Sequence, residues 1–528
     1  MKAFKRMGGI LIGLALVTAL FTVGNYILDS IAERKLRAAL AEIPAAPVSF
    51  GQLHISLMAG NVELREVTLS QRDSTGGLTD IQGKIGLIRL EGLRWFKLFH
   101  GEARAKRLLI RSPEAKLVLP SKNAPRRPER DGLSGGNPFL TRIALAEVRV
   151  EKGRFDLVSR KDATKASARG MGLSVRDIVF HTDENRMEYN DSCYLVEIDS
   201  LDYTDNAGIS RTRVARLATS DAGPVEVLDA RIRSLGPRDK IAERMGKVAA
   251  VWYDIRLDSL HTSPVNLFRL VNDRRVNIDR VCLRSPEMVL LQDDRYPPAA
   301  PYPTFQEGLN SLEIPLHIGQ IDARIRAFTF LWKTTHVNCG TIPMRDVRLN
   351  VNSVSNARGN TMQMKLKSAL TGNTRMSLSV ATRNDKDEST SGTLQLRSLN
   401  ASRLDPFVRP LFGVTVKADV HQVDGSFKGD KHKMAGEFCM QYDGLSVRAC
   451  NDVTAPYQFL AKNSGFVNFL VDIFLPEANP SGPGKEPKMV EYSFKRDPMK
   501  PYPAYLIQNL TNGMLQTLLP GGRIHKKE

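Results

Sequence analysis

Residues 361–380 read TMQMKLKSALTGNTRMSLSV. Met362, Met364 and Leu366 alternate with Gln363, Lys365 and Lys367, and Met376, Leu378 and Val380 resume the alternation after a short break. Period two places successive side chains on opposite faces of an extended chain, so this stretch reads as two strands with one apolar and one polar face. The pattern spreads in both directions. Leu394 and Leu396 continue it, then Val414, Val416, Ala418 and Val420. Around Asp443-Gly444, read as a hairpin turn, Phe438, Met440 and Tyr442 would face Ala449, Val447 and Leu445, with Glu437, Cys439, Gln441, Ser446, Arg448 and Cys450 between them. Helical periodicity is scarce until the end of the chain, so the class is mainly β.

The chain also repeats. Residues 109–117 read LIRSPEAKL and 282–290 read CLRSPEMVL; IRLEGL (88–93) precedes the first and IRLDSL (255–260) the second. Leu98-Phe99 and Leu267-Phe268 follow those segments in turn. After a proline-rich loop in each case come VRDI (175–178) and MRDV (344–347), and a similar LREV stands at 64–67. Three ordered matches offset by 167 to 173 residues indicate two copies of one strand-rich module. Such modules stack to share an apolar side. The expected division is 1–45, an amino-terminal anchor and juxtamembrane helix; 46–220 and 221–400, the two modules; and 401–528, hairpins and closing helices.

The chain has 528 residues, 42% hydrophobic and 25% charged, which is too apolar for disorder and leaves ample material for a core. Lys and Arg exceed Asp and Glu by 18. Such an excess suits an anionic partner, nucleic acid or phospholipid, or else a well-solvated surface. Residues 7–28 carry no charge, and at 1.5 Å per residue they give roughly 33 Å of helix, enough to cross a bilayer core. Ile10, Leu11, Ile12, Leu14, Leu16, Val17, Leu20, Phe21, Val23 and Ile27 form its apolar body. Lys2, Lys5 and Arg6 precede it, so the short end is expected in the cytoplasm and the bulk across the membrane. A cleaved signal peptide is the rival; no A-x-A site closes the run, and 29–43 continues as a helix. Nucleic acid is set aside on this placement, and no helix-turn-helix, zinc-finger or RNA-binding spacing is present in the sequence.

Five cysteines are few for this length. Cys439 and Cys450, flanking Asp443-Gly444, are the one pair a disulfide would join; the alternative is buried free thiols. The sequence has no HExxH, GxSxG or GxGxxG, and Gly482-Pro483-Gly484-Lys485 lacks the rest of a phosphate loop. HTDEN (181–185) reads as a polar turn. No enzyme, metal or cofactor is expected. Residues 464–475 are apolar but too short to span a bilayer, NPSGPGKEP (479–487) reads as a linker, and Leu506, Leu510, Met514 and Leu518 form a helical stripe read as a cap on the open end of the sheet, the alternative being a helix on a membrane surface.

The anchor, FGQLHISLMAGNVELREVTL (50–69) and IGLIRLEGLRWFKLFHGEARAKRLLIRSPEAKLVL (85–119) together resemble the AsmA-like family of Gram-negative envelope proteins, within the repeating-β-groove group of lipid transfer proteins. GEFCMQYDGLSVRA (436–449) and RDPMKPYPAYLIQNLTNGMLQTL (496–518) resemble the closing segment of shorter members. The proline- and asparagine-containing element that longer members carry after the anchor is missing, which places the chain in a divergent, short branch. The resemblance implies a single-pass protein of the bacterial inner membrane. Its periplasmic part would be an elongated, twisted, mostly antiparallel β-groove with carboxy-terminal amphipathic helices, acting in lipid transfer for outer-membrane biogenesis.

A long apolar sheet face must be covered by protein or by hydrocarbon. The residues expected to face acyl chains are Met362, Met364, Leu366, Met376, Leu378, Val380, Leu394, Leu396, Phe438, Met440, Tyr442, Leu445 and Val447, with phospholipid as partner. The competing reading is a closed β scaffold that acts on outer-membrane protein assembly through other envelope proteins.

Overall fold

The computed structural model describes residues 48–518 apart from 72–79, 99, 121–140, 182–185, 189–192, 206, 222, 237–251, 266–273, 294, 296–300, 334–338, 371, 451–474, 481, 483 and 501. The anchor segment, HTDEN beyond His181, and 464–474 therefore lie outside the described residues. The protein is mainly β. It divides into two compact units, 1–208 with 213–223, and 209–212 with 224–528.

The first unit holds β1 (Val48–Ser49), β2 (Gln52–Ser56), β3 (Asn61–Gln71), β4 (Asp80–Glu91), a one-turn helix α1 (Trp95–Leu98), β5 (Glu102–Leu119), β6 (Arg142–Ser159), β7 (Lys165–His181), β8 (Arg186–Glu188), β9 (Tyr194–Ile198) and β10 (Ser200–Thr204). The division falls within β11 (Ser210–Ser220). The second unit holds β12 (Pro224–Ser234), β13 (Trp252–Pro264), β14 (Val276–Asp293), α2 (Phe305–Asn310), β15 (Leu316–Lys333), β16 (Cys339–Ser355), β17 (Thr361–Ala369), β18 (Arg375–Arg383) and β19 (Thr390–Asn400). It ends with α3 (Asp405–Phe412), β20 (Val414–Gly429), β21 (Lys433–Ala449), β22 (Met489–Lys495) and α4 (Tyr502–Leu518).

The repeated sequences occupy like places in the two units. LIRSPEAKL lies in β5 and CLRSPEMVL in β14. Each of these strands is antiparallel to the one before it and parallel to the one after. The parallel register is the same in both: Arg111 is opposite Glu151 and Arg284 opposite Arg324, a step of 40 residues each time. A parallel neighbour cannot be reached by a tight turn, which explains the long proline-rich loop after each copy.

LREV, VRDI and MRDV have a common structural meaning. Glu66, Asp177 and Asp346 all take positive φ, 53°, 54° and 50°, inside strands. In each, the Arg and the acid are both exposed while an apolar neighbour is buried, Val67, Val175 or Val347. Two consecutive outward side chains are what a β-bulge produces; an acidic residue tolerates the left-handed conformation better than a β-branched one. Asp229 of β12, at φ 46°, repeats the device.

In the second unit the irregularities stand side by side. Ala230 opposes Leu257, and Ser285 opposes Ile325, which opposes Val347; all five are buried. Asp229, Asp258, Arg326 and Asp346, beside them in sequence, are exposed. Aligned bulges bend neighbouring strands together, leaving small or apolar residues inside the corner and charges outside it.

The segment around Asp443-Gly444 differs from the hairpin expected of it. β21 runs unbroken from Lys433 to Ala449 along β20, with Tyr442 opposite Val420 and Val447 opposite Val416. Gly444, at φ 63°, makes a bulge where the register shifts. The 16-residue β20 offers pairing along the whole length, so the glycine bends the strand rather than reversing it. The reversal lies earlier, at Asp430, whose carboxylate accepts from the backbone N–H of His432 and Lys433 at 2.7 and 2.9 Å.

Candidate functional site

Register converts the alternation into cross-strand rows. In the first unit, Leu53, Leu64, Ile88, Ile110, Val150, Leu173 and Val196 follow one another from β2 through β7 to β9. Beside them run Ile55, Val62, Leu90, Leu108, Val148, Val175 and Tyr194. Directly opposed residues share a face, so these are two adjacent apolar rows on one side of the sheet. Leu53, Ile55 and Tyr194 at row ends, and Val175 beside Tyr194, are buried, whereas the other members are only half-buried.

The second unit has the same construction. Tyr253–Leu290–Phe330–Ile342 and Ile255–Met288–Phe328–Met344 cross β13 to β16 on one side of the bulge line. On its other side Leu260–Leu283–Ala323–Leu349–Leu366 continues to Leu378, Leu394, Gly425, Phe438 and Val490. Ten consecutive strands thus present apolar side chains or glycine at one level. From β13 to β17 most members of these rows are half-buried.

From β18 onward the face is covered by protein. α4 lays Tyr505, Leu506, Leu510, Met514 and Leu518 on it. Phe438 and Val490 fall to 0% exposure and Tyr505 to 1%, each burial contributing about 1.5–3 kcal/mol. Glycines make room for the aromatics: a Cβ at Gly425 or at Gly513 of α4 would overlap the Phe438 ring, and one at Gly392 would overlap Phe427. Phe438 meets Tyr492 edge-on at 5.4 Å, and Tyr502 meets Tyr505 at 5.8 Å.

The residues expected to contact lipid therefore fall into two environments. Met362 and Leu366 are half-buried on β17, and Met364, opposed by Val351 and Val380, already packs against the core that α4 covers. Val380, Leu394, Leu396, Phe438, Met440, Tyr442 and Leu445 lie in the core, with Met376, Leu378 and Val447 packed against it. That stretch faces side chains of its own chain. The alternation located a shared apolar face; it could not tell which part α4 covers.

Cys439 and Cys450 are both free thiols. Because β21 is continuous, Cys439 lies within it and Cys450 just past its end. Eleven extended residues separate them by roughly 36 Å, which excludes the disulfide. Burial pushes the Cys439 thiol up. The proline-rich 479–487 segment is partly pinned: Asn479 exchanges backbone hydrogen bonds with Tyr442 at 2.9 and 3.0 Å, and its amide donates to the Met440 carbonyl at 2.6 Å.

The other face of the first unit carries a charge ladder. Glu63 binds Arg89, Arg89 and Arg107 both reach Glu91, and Arg107 donates to Glu147 at 2.7 Å. The Arg107 bond holds the Glu147 carboxyl below the usual range, against the opposing effect of burial. In the second unit Arg231 holds Asp254 low in the same way. A recess of about 430 Å³ on the first unit is lined by Lys84, Glu114, Lys116, Arg154, Asp156 and Arg169, with Arg154–Glu114 and Arg169–Asp156 paired at 3.4 and 2.9 Å. No helix among the described residues is long and apolar enough to cross a membrane. No protein-family model matches the chain, and no curated protein is significantly similar to it.

Proposed function

We propose that the protein is a lipid-binding and lipid-transfer protein, anchored in the bacterial inner membrane through residues 10–27, that holds acyl chains along the apolar rows of its sheets. The observation that supports this is the run of apolar residues from strand to strand with side chains left half-exposed, in each unit. Hydrocarbon contact is non-directional, so a chain slides along such rows without a specific binding residue. Met288, Met344 and Met362 add flexible, polarizable contact on the second unit's apolar face. The acyl-contact residues are then Ile88, Ile110 and Val150 in the first unit and Met288, Phe328, Phe330 and Met344 in the second. The charged outer faces stay clear of the acyl chains. The periplasmic location, the envelope role and the kinship with AsmA-like proteins belong to this same proposal.

The test is substitution at matched depth. Phe328→Asp is expected to leave the protein folded while lowering co-purifying phospholipid, measured by native mass spectrometry and lipid extraction. Phe438→Asp, inside the α4-covered core, is expected to unfold the carboxy-terminal strands. Unchanged lipid content in folded Phe328→Asp and Ile110→Asp proteins would remove the acyl-chain reading and favour a scaffold.

A further inference from the structure

On the outer face of the second unit, Arg284 of β14 is opposite Arg324 of β15, Arg324 opposite Arg348 of β16, and Arg348 opposite Lys367 of β17. Adjacent strands are about 4.8 Å apart, so four cations stand in a line roughly 14 Å long. All four are exposed, and none makes an ion pair among the described residues. Lys365, two residues along β17 and on the same face, is exposed beside them. Two neighbouring acids are engaged elsewhere, Asp322 with Arg280 at 2.6 Å and Asn350 at 2.7 Å, and Glu287 with Arg256 at 3.5 Å, and Asp346, exposed on the bulge before Arg348, makes no ion pair with the row.

Like charges placed directly opposite each other destabilise a sheet. Single like-charged pairs occur elsewhere, as at Arg231–Arg256, Arg154–Arg169 and Lys433–Lys495, but no other four consecutive described strands carry cations opposite one another. The other copy of the repeat is the sharpest comparison, because Arg111 stands where Arg284 does and its parallel partner is Glu151, paired at 3.2 Å. The same sequence frame thus carries a neutralised pair in one copy and an unneutralised cation row in the other. The row lies on an open sheet face rather than around a cavity, so it does not enclose a small anion. It fits a surface that presents several anions in one plane.

We propose that this row is a docking site for an anionic phospholipid surface. The cations would lie against phosphate head groups, while the apolar rows of the same unit occupy the opposite side of the sheet. Each basic residue close to such a surface contributes roughly 1 kcal/mol and is screened by salt. The site goes beyond acyl-chain binding and does not depend on it.

Arg324→Glu tests this, because it puts a carboxylate between Arg284 and Arg348 and recreates the pairing of the other copy. The substituted protein is expected to melt at or above the wild-type temperature, so lost binding is separable from lost folding. The full chain would be co-sedimented with vesicles of phosphatidylcholine alone and with vesicles containing about 30% phosphatidylglycerol, at low and high salt. The neutral vesicles measure insertion through the apolar amino terminus; the row is responsible for the anion-dependent increment. That increment is expected to fall about tenfold or more in Arg324→Glu and in wild type at high salt. An undiminished increment in the folded variant would overturn the proposal. So would a substitution that spares vesicle binding but abolishes binding to polyglutamate or to duplex DNA, which would assign the row to a different polyanion.

Discussion

At the scale of single residues, the strands are governed by where the alternation is broken. Asp346 sits at φ 50° with its side chain outside the corner. Asp346→Gly, which removes the steric penalty of that conformation, is expected to be neutral or mildly stabilising; Asp346→Val should cost about 1–2 kcal/mol in denaturant unfolding. Equal effects of the two would remove the bulge reading. Gly513 is constrained by contact: Gly513→Ala should push α4 off Phe438 and cost about 1–3 kcal/mol. Glu388 makes a pH prediction. It is buried, accepts from the Thr304 hydroxyl at 2.6 Å, and has its pKa raised by burial and then by Glu307, against the Thr304 bond. A raised carboxyl pKa gives stability that is present at low pH and lost as pH rises through the folded value. Glu388→Gln should therefore raise the melting temperature at pH 8 relative to wild type, with the gain vanishing near pH 4. A gain that grew towards acid would contradict this sign.

Among the elements, strand identity was legible in the sequence because half-buried sheets leave a period-two record, and residues 361–380 form β17 and β18 as the alternation requires. The repeated LIRSPEAKL and CLRSPEMVL were visible, but their parallel pairing was not, since sequence similarity carries no strand direction. Asp443-Gly444 misled because the same dipeptide serves a turn or a bulge, and only the long partner β20 decides between them. The carboxy-terminal stripe reads in the sequence as a cap on the open end of the sheet; α4 instead lies on its apolar face. What alternation could not show was that Phe438, Met440 and Tyr442 face that helix while Phe328 and Met344 are left half-buried. Hydrogen exchange follows from this difference. Amides of β21 under α4 should be among the slowest, and destabilising α4 through Gly513→Ala should speed them without changing those of β5 and β6. Uniform acceleration across both units would mean that α4 supports more than the strands it touches.

For the whole molecule, the account rests on what touches the uncovered rows. In each unit the apolar residues continue strand after strand with charges on the other side, paired in the first unit as in the Glu63–Arg89–Glu91–Arg107–Glu147 ladder and left, among the described residues, as an unpaired cation row in the second. The most direct test is a photo-crosslinking residue placed at Phe328 or at Ile110 in the full chain in living cells, with Arg326 on the outer corner as the control. The account predicts phospholipid adducts at Phe328 and Ile110 and none at Arg326. Protein adducts at the two apolar positions, with no lipid at either, would contradict it and make the sheet a docking scaffold for another polypeptide.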